Sequence, residues 1–254
     1  MEGLADLPDY AFVFVMVLAR VGCAVMLFPG SGEAEVPATV RVGFALALAV
    51  LFVPLALPGF APMPASAIAL VRDMGCEVMT GLWLGWLVRA LLQVPAMAGQ
   101  VIAAAAGLSN VIQPDAETGP QSAAVSHALA LAAPVVVMAS GLHAIPLHAL
   151  AGSYALIPPG HLLPAADSAT QAIEIATRTV ALALQLGGPF VLAGTIWQFA
   201  LGLLSRLVPQ LQIYFAAMPG QIAGGLLLLA ALSGGALSVW RETLHGDLLA
   251  LPGL

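Results

Sequence analysis

Side chains that could do chemistry are few in this chain, and the most suggestive are three histidines. His127, His143 and His148 lie in a stretch that has no charged residue between positions 118 and 166. Histidine is the commonest metal ligand, but ligands that share a helical face must be three or four residues apart. His143 and His148 are five apart, and no carboxylate accompanies them. The spacing therefore predicts neither a metal site nor a bound cofactor.

Catalytic motifs are also missing from the sequence. It contains no GxSxG, HExxH or P-loop pattern, and no pair of intramembrane aspartates with protease-like flanks. Cys23 and Cys76 lie in apolar stretches without a CxxC pattern or a neighbouring histidine. We expect them to be small buried side chains, not a disulfide or a metal pair. The sequence predicts a protein that is not an enzyme.

The basic residues are seven arginines, and most of them interrupt apolar segments. Arg20 lies near the centre of such a segment, where insertion into a membrane costs about 2.5–3.5 kcal/mol. It therefore needs a partner, and the acidic candidates are Glu33, Glu35, Asp73 and Glu77. Arg41 and Arg206 are near segment ends, from which a long side chain can reach the interface. The predicted structural charges within the membrane are Arg20, Arg41, Glu77, Arg89 and Arg206.

Composition places the chain among integral membrane proteins. It is 61% hydrophobic and 8% charged, against about 45–50% and about 25% in soluble domains. The apolar runs are continuous and do not alternate, which favours helices over a β-barrel. A net charge of −6 argues against nucleic-acid binding. The acidic N-terminus does not resemble a secretory signal, so the first apolar run is predicted to be a retained helix.

The apolar runs predict an all-α polytopic membrane-type protein with about six hydrophobic, partly broken helical segments. We expect Pro95 to separate the third and fourth segments, and Pro219, Gly220 and Gln221 to interrupt the last one. The predicted segments cover residues 10–28, 37–57, 65–94, 96–112, 167–205 and 211–240, and an uncharged stretch, 118–166, is divided at Pro134 and Pro146.

One stretch, residues 98–121, changes from apolar helix to a polar segment rich in turn-forming residues. Beyond Gly107 it contains Asn110, Pro114, Asp115 and Glu117 within a few positions. It is either an ordinary extramembrane loop or a segment that lines or blocks an aqueous path, since lipid cannot satisfy irregular backbone.

Five stretches, in this order, resemble one family. They are LARVGCAVMLFPGSGEAEVPATVRVGFALALAVLF (18–52), EVMTGLWLGWLVR (77–89), AGQVIAAAAGLSNVIQPDAETG (98–119), GLHAIPLHALAGSYALIPPG (141–160) and LGLLSRLVPQLQIYFAAMPGQIAGGLLLL (201–229). Together they resemble the FliR family of flagellar biosynthetic proteins and its virulence type III secretion counterpart, SctT. Two departures are Gln113-Pro114-Asp115, where the family often has Asp-Pro, and Gln212 in place of an asparagine.

The resemblance implies a non-enzymatic subunit of the flagellar type III export gate, built of helical hairpins in the bacterial inner membrane and flagellar basal body. Implied partners are FliP-type and FliQ-type gate subunits, FlhB-type and FlhA-type export components, and unfolded proteins in transit. Residues 1–164 would be the FliP-like part and residues 165–254 the FliQ-like hairpin. The implied pore-plugging loop spans 107–121, with Gly107, Leu108, Ser109, Asn110, Val111, Ile112, Gln113, Pro114, Asp115, Glu117 and Gly119.

Three other functions stay open on the sequence. A virulence type III secretion subunit shares the same resemblance. An autonomous small-solute transporter would be expected to show an internal repeat and paired intramembrane ionisable groups, and neither is evident. A purely structural membrane scaffold would tolerate any polar sequence at 107–121.

Overall fold

The computed structural model describes residues 7–33, 35–107, 124–207 and 213–254, and these residues form helices without any strand. The α-helices are α1 (Leu7–Val25), α2 (Ala38–Ala56), α3 (Ala67–Leu92), α4 (Val94–Ala105), α5 (Ala124–Ala139), α6 (Ala144–Leu156), α7 (Ala165–Leu207) and α8 (Ile213–Leu249). A short 3₁₀ turn, Leu57–Gly59, follows α2. The predicted all-α architecture is confirmed.

Five helical stretches are long and apolar enough to cross a membrane, or six if α5 and α6 are counted as one bent span. Between α5 and α6, Gly141 has φ +76°, a left-handed conformation that glycine adopts without steric cost. The prediction of about six partly broken membrane-type segments is therefore confirmed for the described residues.

Proline acts differently at different positions. Pro95 lies in the first turn of α4, where its missing N–H is not needed, and the break before α4 falls at Gln93. The predicted interruption at Pro219 is wrong, because α8 continues through it. Pro189 is likewise inside α7. Membrane-type helices accept such prolines when neighbouring groups satisfy the freed carbonyls.

The described helices belong to two compact units, each made of separate chain segments. One unit comprises Met1–Leu91, Val135–Ile175 and Leu244–Leu254, and the other comprises Leu92–Pro134 and Ala176–Thr243. In the first unit, α1 packs against α2. Its buried face consists of residues at helical spacing: Val13, Met16, Val17, Arg20, Val21, Ala24 and Val25. An arginine therefore occupies the middle of an otherwise apolar buried stripe.

The two longest helices bury little of their apolar surface within the chain. In the most apolar part of α7, 22% of the residues are buried, and in that of α8 none is. Exposed side chains include Leu192, Phe199 and Leu203 on α7 and Phe215 and Leu227 on α8. Apolar surface on this scale requires lipid or other protein against it.

Candidate functional site

A buried ion pair joins α1 to α3 in the first unit. The Arg20 guanidinium donates from Nε to Glu77 Oε2 at 2.7 Å and from Nη2 to Glu77 Oε1 at 3.0 Å. Both side chains are 0% exposed. This bidentate arrangement matches the planar fork of arginine to a carboxylate, which makes it strong and directional. Of the four acidic candidates for Arg20, the structure places Glu77 against it.

The remaining polar atoms of the pair bind α6 and the turn that follows it. Arg20 also donates to Ser153 Oγ at 3.2 Å and to the Ile157 carbonyl at 3.1 Å. The Gly160 amide donates to Glu77 Oε1 at 3.0 Å. We call Arg20, Glu77, Ser153, Ile157 and Gly160 the buried clasp. It connects α1, α3, α6 and the proline-rich turn after α6 through a single pair of charges.

An aromatic ring completes the environment of the clasp. The Arg20 Cζ atom lies 4.2 Å from the centroid of the Tyr154 ring, within the range of a cation–π contact. The Tyr154 hydroxyl is buried without a hydrogen-bond partner among the described residues. The ring face stabilises the guanidinium charge, and the unpaired hydroxyl is a local cost of that placement.

Two glycines allow the close approach of α1 and α3 on which the clasp depends. A Cβ on Gly81 would overlap the carbonyl oxygen of Arg20, and one on Gly85 would lie 2.9 Å from the Leu27 side chain. Small residues four positions apart let helix backbones come close together. The Gly81/Gly85 spacing therefore sets the distance at which Arg20 and Glu77 meet.

The other predicted membrane charges have weaker or different contacts. Arg89 Nη1 is 2.8 Å from Glu33 Oε1, and both side chains are partly exposed. Arg41 donates to two backbone carbonyls, those of Val36 and Glu33. In the second unit, Arg206 lines a groove of about 940 Å³ along α4 and α7. Among these charges, Arg20 and Glu77 form the fully buried pair.

The structure describes only the first residue of the implied plug loop. Gly107 follows α4 and has φ +71°, a left-handed conformation that commonly ends helices and favours glycine. A Cβ at Gly107 would lie 2.7 Å from the Gln221 amide nitrogen on α8. Gly107 is therefore favoured by its backbone conformation, and a larger residue would also require the end of the Gln221 side chain to shift. Residues 108–119, the rest of the predicted loop site, lie outside the described residues.

The end of α4 that leads into this loop packs against glycines of α7 and α8, and we call this contact the seat of α4. A Cβ on Gly194 would lie 2.5 Å from the Ala105 carbonyl oxygen, and one on Gly225 would lie 2.6 Å from the Ala106 Cβ. Sequence reasoning missed this seat, although Gly194 and the Gly224-Gly225 pair stand out as small residues in apolar helices. The seat fixes the point from which the 107–121 segment departs.

Metal and redox sites are not formed by the described residues. No group of three or more histidine, cysteine, aspartate or glutamate side chains lies close enough to hold a metal ion within those ranges. Cys23 and Cys76 are free thiols. Sequence analysis also missed Ser153 and Tyr154, for which the only signal was two adjacent polar-tipped residues in an apolar helix.

Known proteins resemble the chain over nearly its full length. The family model for bacterial export proteins, family 1, matches residues 11–246. Flagellar biosynthetic protein FliR of Caulobacter vibrioides is 32% identical over 231 residues, which cover 91% of this chain and 92% of that protein. Proteins of the same name from Bacillus subtilis and Aquifex aeolicus are 28% and 23% identical, covering 90% and 87% of this chain and 88% and 85% of theirs.

Proposed function

The chain belongs to the bacterial export proteins, family 1, and from this premise we propose that it is a non-enzymatic subunit of the flagellar type III protein export gate. The match over residues 11–246 is the observation that carries the proposal. All three named relatives are flagellar biosynthetic proteins, which favours a flagellar over a virulence system.

We propose FliP-type and FliQ-type subunits as its direct partners, with FlhB-type and FlhA-type components beyond them. The apolar sides of α7 and α8 support this, because they carry exposed side chains such as Phe199 (72%) and Phe215 (72%) that the chain itself does not cover. On the resemblance, residues 1–164 are the FliP-like part and 165–254 the FliQ-like hairpin. The location would be the inner membrane, within the flagellar basal body.

The 107–121 segment is the proposed plug of the resting export pore. The seat of α4 supports this, since a segment that closes a pore needs a fixed anchor and a backbone free to move aside. Gly107 provides the change of direction at the anchor. Ser109, Asn110, Gln113 and Asp115 supply polar groups whose hydrogen bonds would each be worth about 0.5–1.5 kcal/mol, weak enough to yield to a substrate.

Co-expression tests the subunit assignment. Tagged chain is purified in mild detergent from cells that also make candidate FliP-type and FliQ-type partners. A stable large complex with one copy of this chain is the expected result. A monodisperse monomer or homodimer that never takes up those partners contradicts the proposal and favours an autonomous transporter.

A deletion tests the plug. Removal of residues 110–118 from the co-expressed complex should make the membrane leak small ions. Two controls accompany it: a deletion of residues 61–64, in the connector before α3, and a glycine/serine replacement of 110–118 at the same length. The connector deletion should leave the membrane tight. An assembled complex that shows no added leak after the 110–118 deletion refutes the plug, and full function with the glycine/serine segment favours a scaffold.

A further inference from the structure

Besides the buried clasp, the first unit contains a cavity with polar side chains that plays no part in the export-gate proposal. A cavity of about 230 Å³ lies where the turn after α1, the start of α2 and the ends of α5 and α6 meet. Its walls are largely apolar, with Phe28, Val40, Phe44, Met138 and Leu147. Its polar members are Ser31, Arg41 and His143. The cavity thus combines a cation with an apolar lining.

Arg41 has a charge that no described carboxylate neutralises. Its Nε donates to the Val36 carbonyl at 3.0 Å and its Nη2 to the Glu33 carbonyl at 2.6 Å. The Glu33 carboxylate is bound to Arg89 instead. A partly buried guanidinium with only neutral acceptors is complementary to an anion.

A second unsatisfied group lines the same cavity. The Nδ1 atom of His143 is buried without a hydrogen-bond partner among the described residues. Buried polar atoms are normally paired, and one left unpaired next to a cavity marks a place where a ligand can supply the partner. Ser31 is already committed, because its hydroxyl donates to the Val25 carbonyl at 2.7 Å. Arg41 and His143 are therefore the groups that can still bind a ligand in this cavity.

The cavity opens onto an exposed apolar stripe along α2. Val40, Phe44, Leu51 and Leu55 are 57%, 40%, 68% and 56% exposed, and their spacing puts them on one face of the helix. At 1.5 Å per residue the stripe is roughly 22 Å long, more than the ~15 Å depth of one leaflet's hydrocarbon. Arg41 lies in the first turn of this candidate span, the depth at which a phosphate group is expected.

We propose that this cavity binds the headgroup of an anionic phospholipid, with the phosphate at Arg41 and an acyl chain along the α2 stripe. Basic pockets between membrane helices bind phospholipid headgroups in this way. His143 donates from Nδ1 to a phosphate or glycerol oxygen. The cavity volume of about 230 Å³ equals that of roughly eight water molecules, at ~30 Å³ each in the liquid. This is room for the headgroup but not for the acyl chains. The chains therefore lie on Phe44, Leu51 and Leu55.

Native mass spectrometry of the delipidated full chain in detergent tests this site. The chain is titrated with phosphatidylglycerol, with zwitterionic phosphatidylcholine and with inorganic phosphate. Arg41→Gln should weaken phosphatidylglycerol binding about tenfold to a hundredfold, since a charge-assisted contact is lost. Arg72→Gln is the matched control, because Arg72 also lies in the early turns of a candidate span but is exposed and paired with Asp73. It should bind as the unaltered chain does.

A second variant keeps the proposal testable if Arg41→Gln does not fold. His143→Phe keeps a planar aromatic ring but removes the Nδ1 donor, and should weaken phosphatidylglycerol binding about twofold to tenfold. Equal lipid binding by the unaltered chain and both variants overturns the proposal. Competition by inorganic phosphate alone would show a bare anion site and also overturn it. The proposal would also be overturned if the lipid is lost when the chain is purified in complex with partner subunits. That loss would indicate that a partner's carboxylate binds Arg41 in place of the lipid.

Discussion

Glu77→Gln is the most direct test of the buried clasp, because it changes the charge and leaves the shape almost unaltered. Glu77 accepts three hydrogen bonds, two from Arg20 and one from the Gly160 amide. A glutamine keeps one acceptor oxygen and turns the other position into a donor. In either orientation that donor would face the guanidinium, and at the Oε1 position it would face the Gly160 amide as well. The Arg20 charge would lose its counterion.

The size of the effect follows from the burial of the pair. Both side chains are 0% exposed, so water cannot replace the lost partner. Removal of one member of such a pair costs about 3–5 kcal/mol. At about 2–4 °C per kcal/mol for a chain of this size, the apparent melting temperature should fall by roughly 10 °C. Arg72→Gln, which breaks an exposed pair with Asp73, should cost less than about 1 kcal/mol.

The assay is the fraction of chain that remains monodisperse on size-exclusion chromatography after heating in detergent. The double variant Arg20→Met/Glu77→Leu is made alongside, because removal of both charges leaves no uncompensated ion. It should be more stable than Glu77→Gln, although the Ile157 carbonyl and Gly160 amide lose their partners. If Glu77→Gln melts like Arg72→Gln, or if the double variant is the least stable, the reasoning about the clasp is refuted.

Two glycine substitutions test the close helix contacts by the same heating assay or by yield, and a third tests Gly107 by ion leak. Gly81→Ala should sharply reduce folded protein, because the new methyl group overlaps backbone, while Gly75→Ala on the same helix meets nothing within 4 Å and should be neutral or slightly stabilising. Gly194→Ala should lower stability and Gly202→Ala, in open space on the same helix, should not; equal melting of the two would contradict the seat of α4. Gly107→Ala should raise ion leak through the assembled complex, since φ +71° disfavours alanine, and an unchanged conductance would contradict the proposal that Gly107 anchors a plug.

The class of fold could be predicted from the sequence, because composition and the lengths of the apolar runs do not depend on how the chain packs. It also showed that Arg20 needs a partner, since the cost of an unpaired arginine in an apolar helix does not depend on the fold. It did not identify Glu77, which is 57 residues away, because four carboxylates were compatible with the pattern. The choice among them is made by the Gly81/Gly85 contact with α1, which exists only in three dimensions.

Proline was the least reliable local signal. Pro219 was expected to interrupt the last segment, yet α8 passes through it, because a proline removes one backbone bond but does not forbid a helix that is held by its surroundings. The fourth segment was expected to reach residue 112, yet α4 ends at Ala105. The left-handed Gly107 ends it, and its conformation could not be predicted from the spacing of apolar residues.

The lengths of α7 and α8 have a consequence for how the protein is made in the cell. With 43 and 37 residues, they extend roughly 65 and 55 Å, about twice the ~30 Å thickness of the hydrocarbon layer. A newly synthesised copy therefore has apolar surface, such as Leu207 at 77% exposure and Ile173 at 68%, that one bilayer does not cover along the whole helix. On the proposed function, that surface stays uncovered until partner subunits bind it. The proposed assembly would then tie the amount of this protein in the membrane to the supply of its partners, and would couple its lifetime to the stoichiometry of assembly.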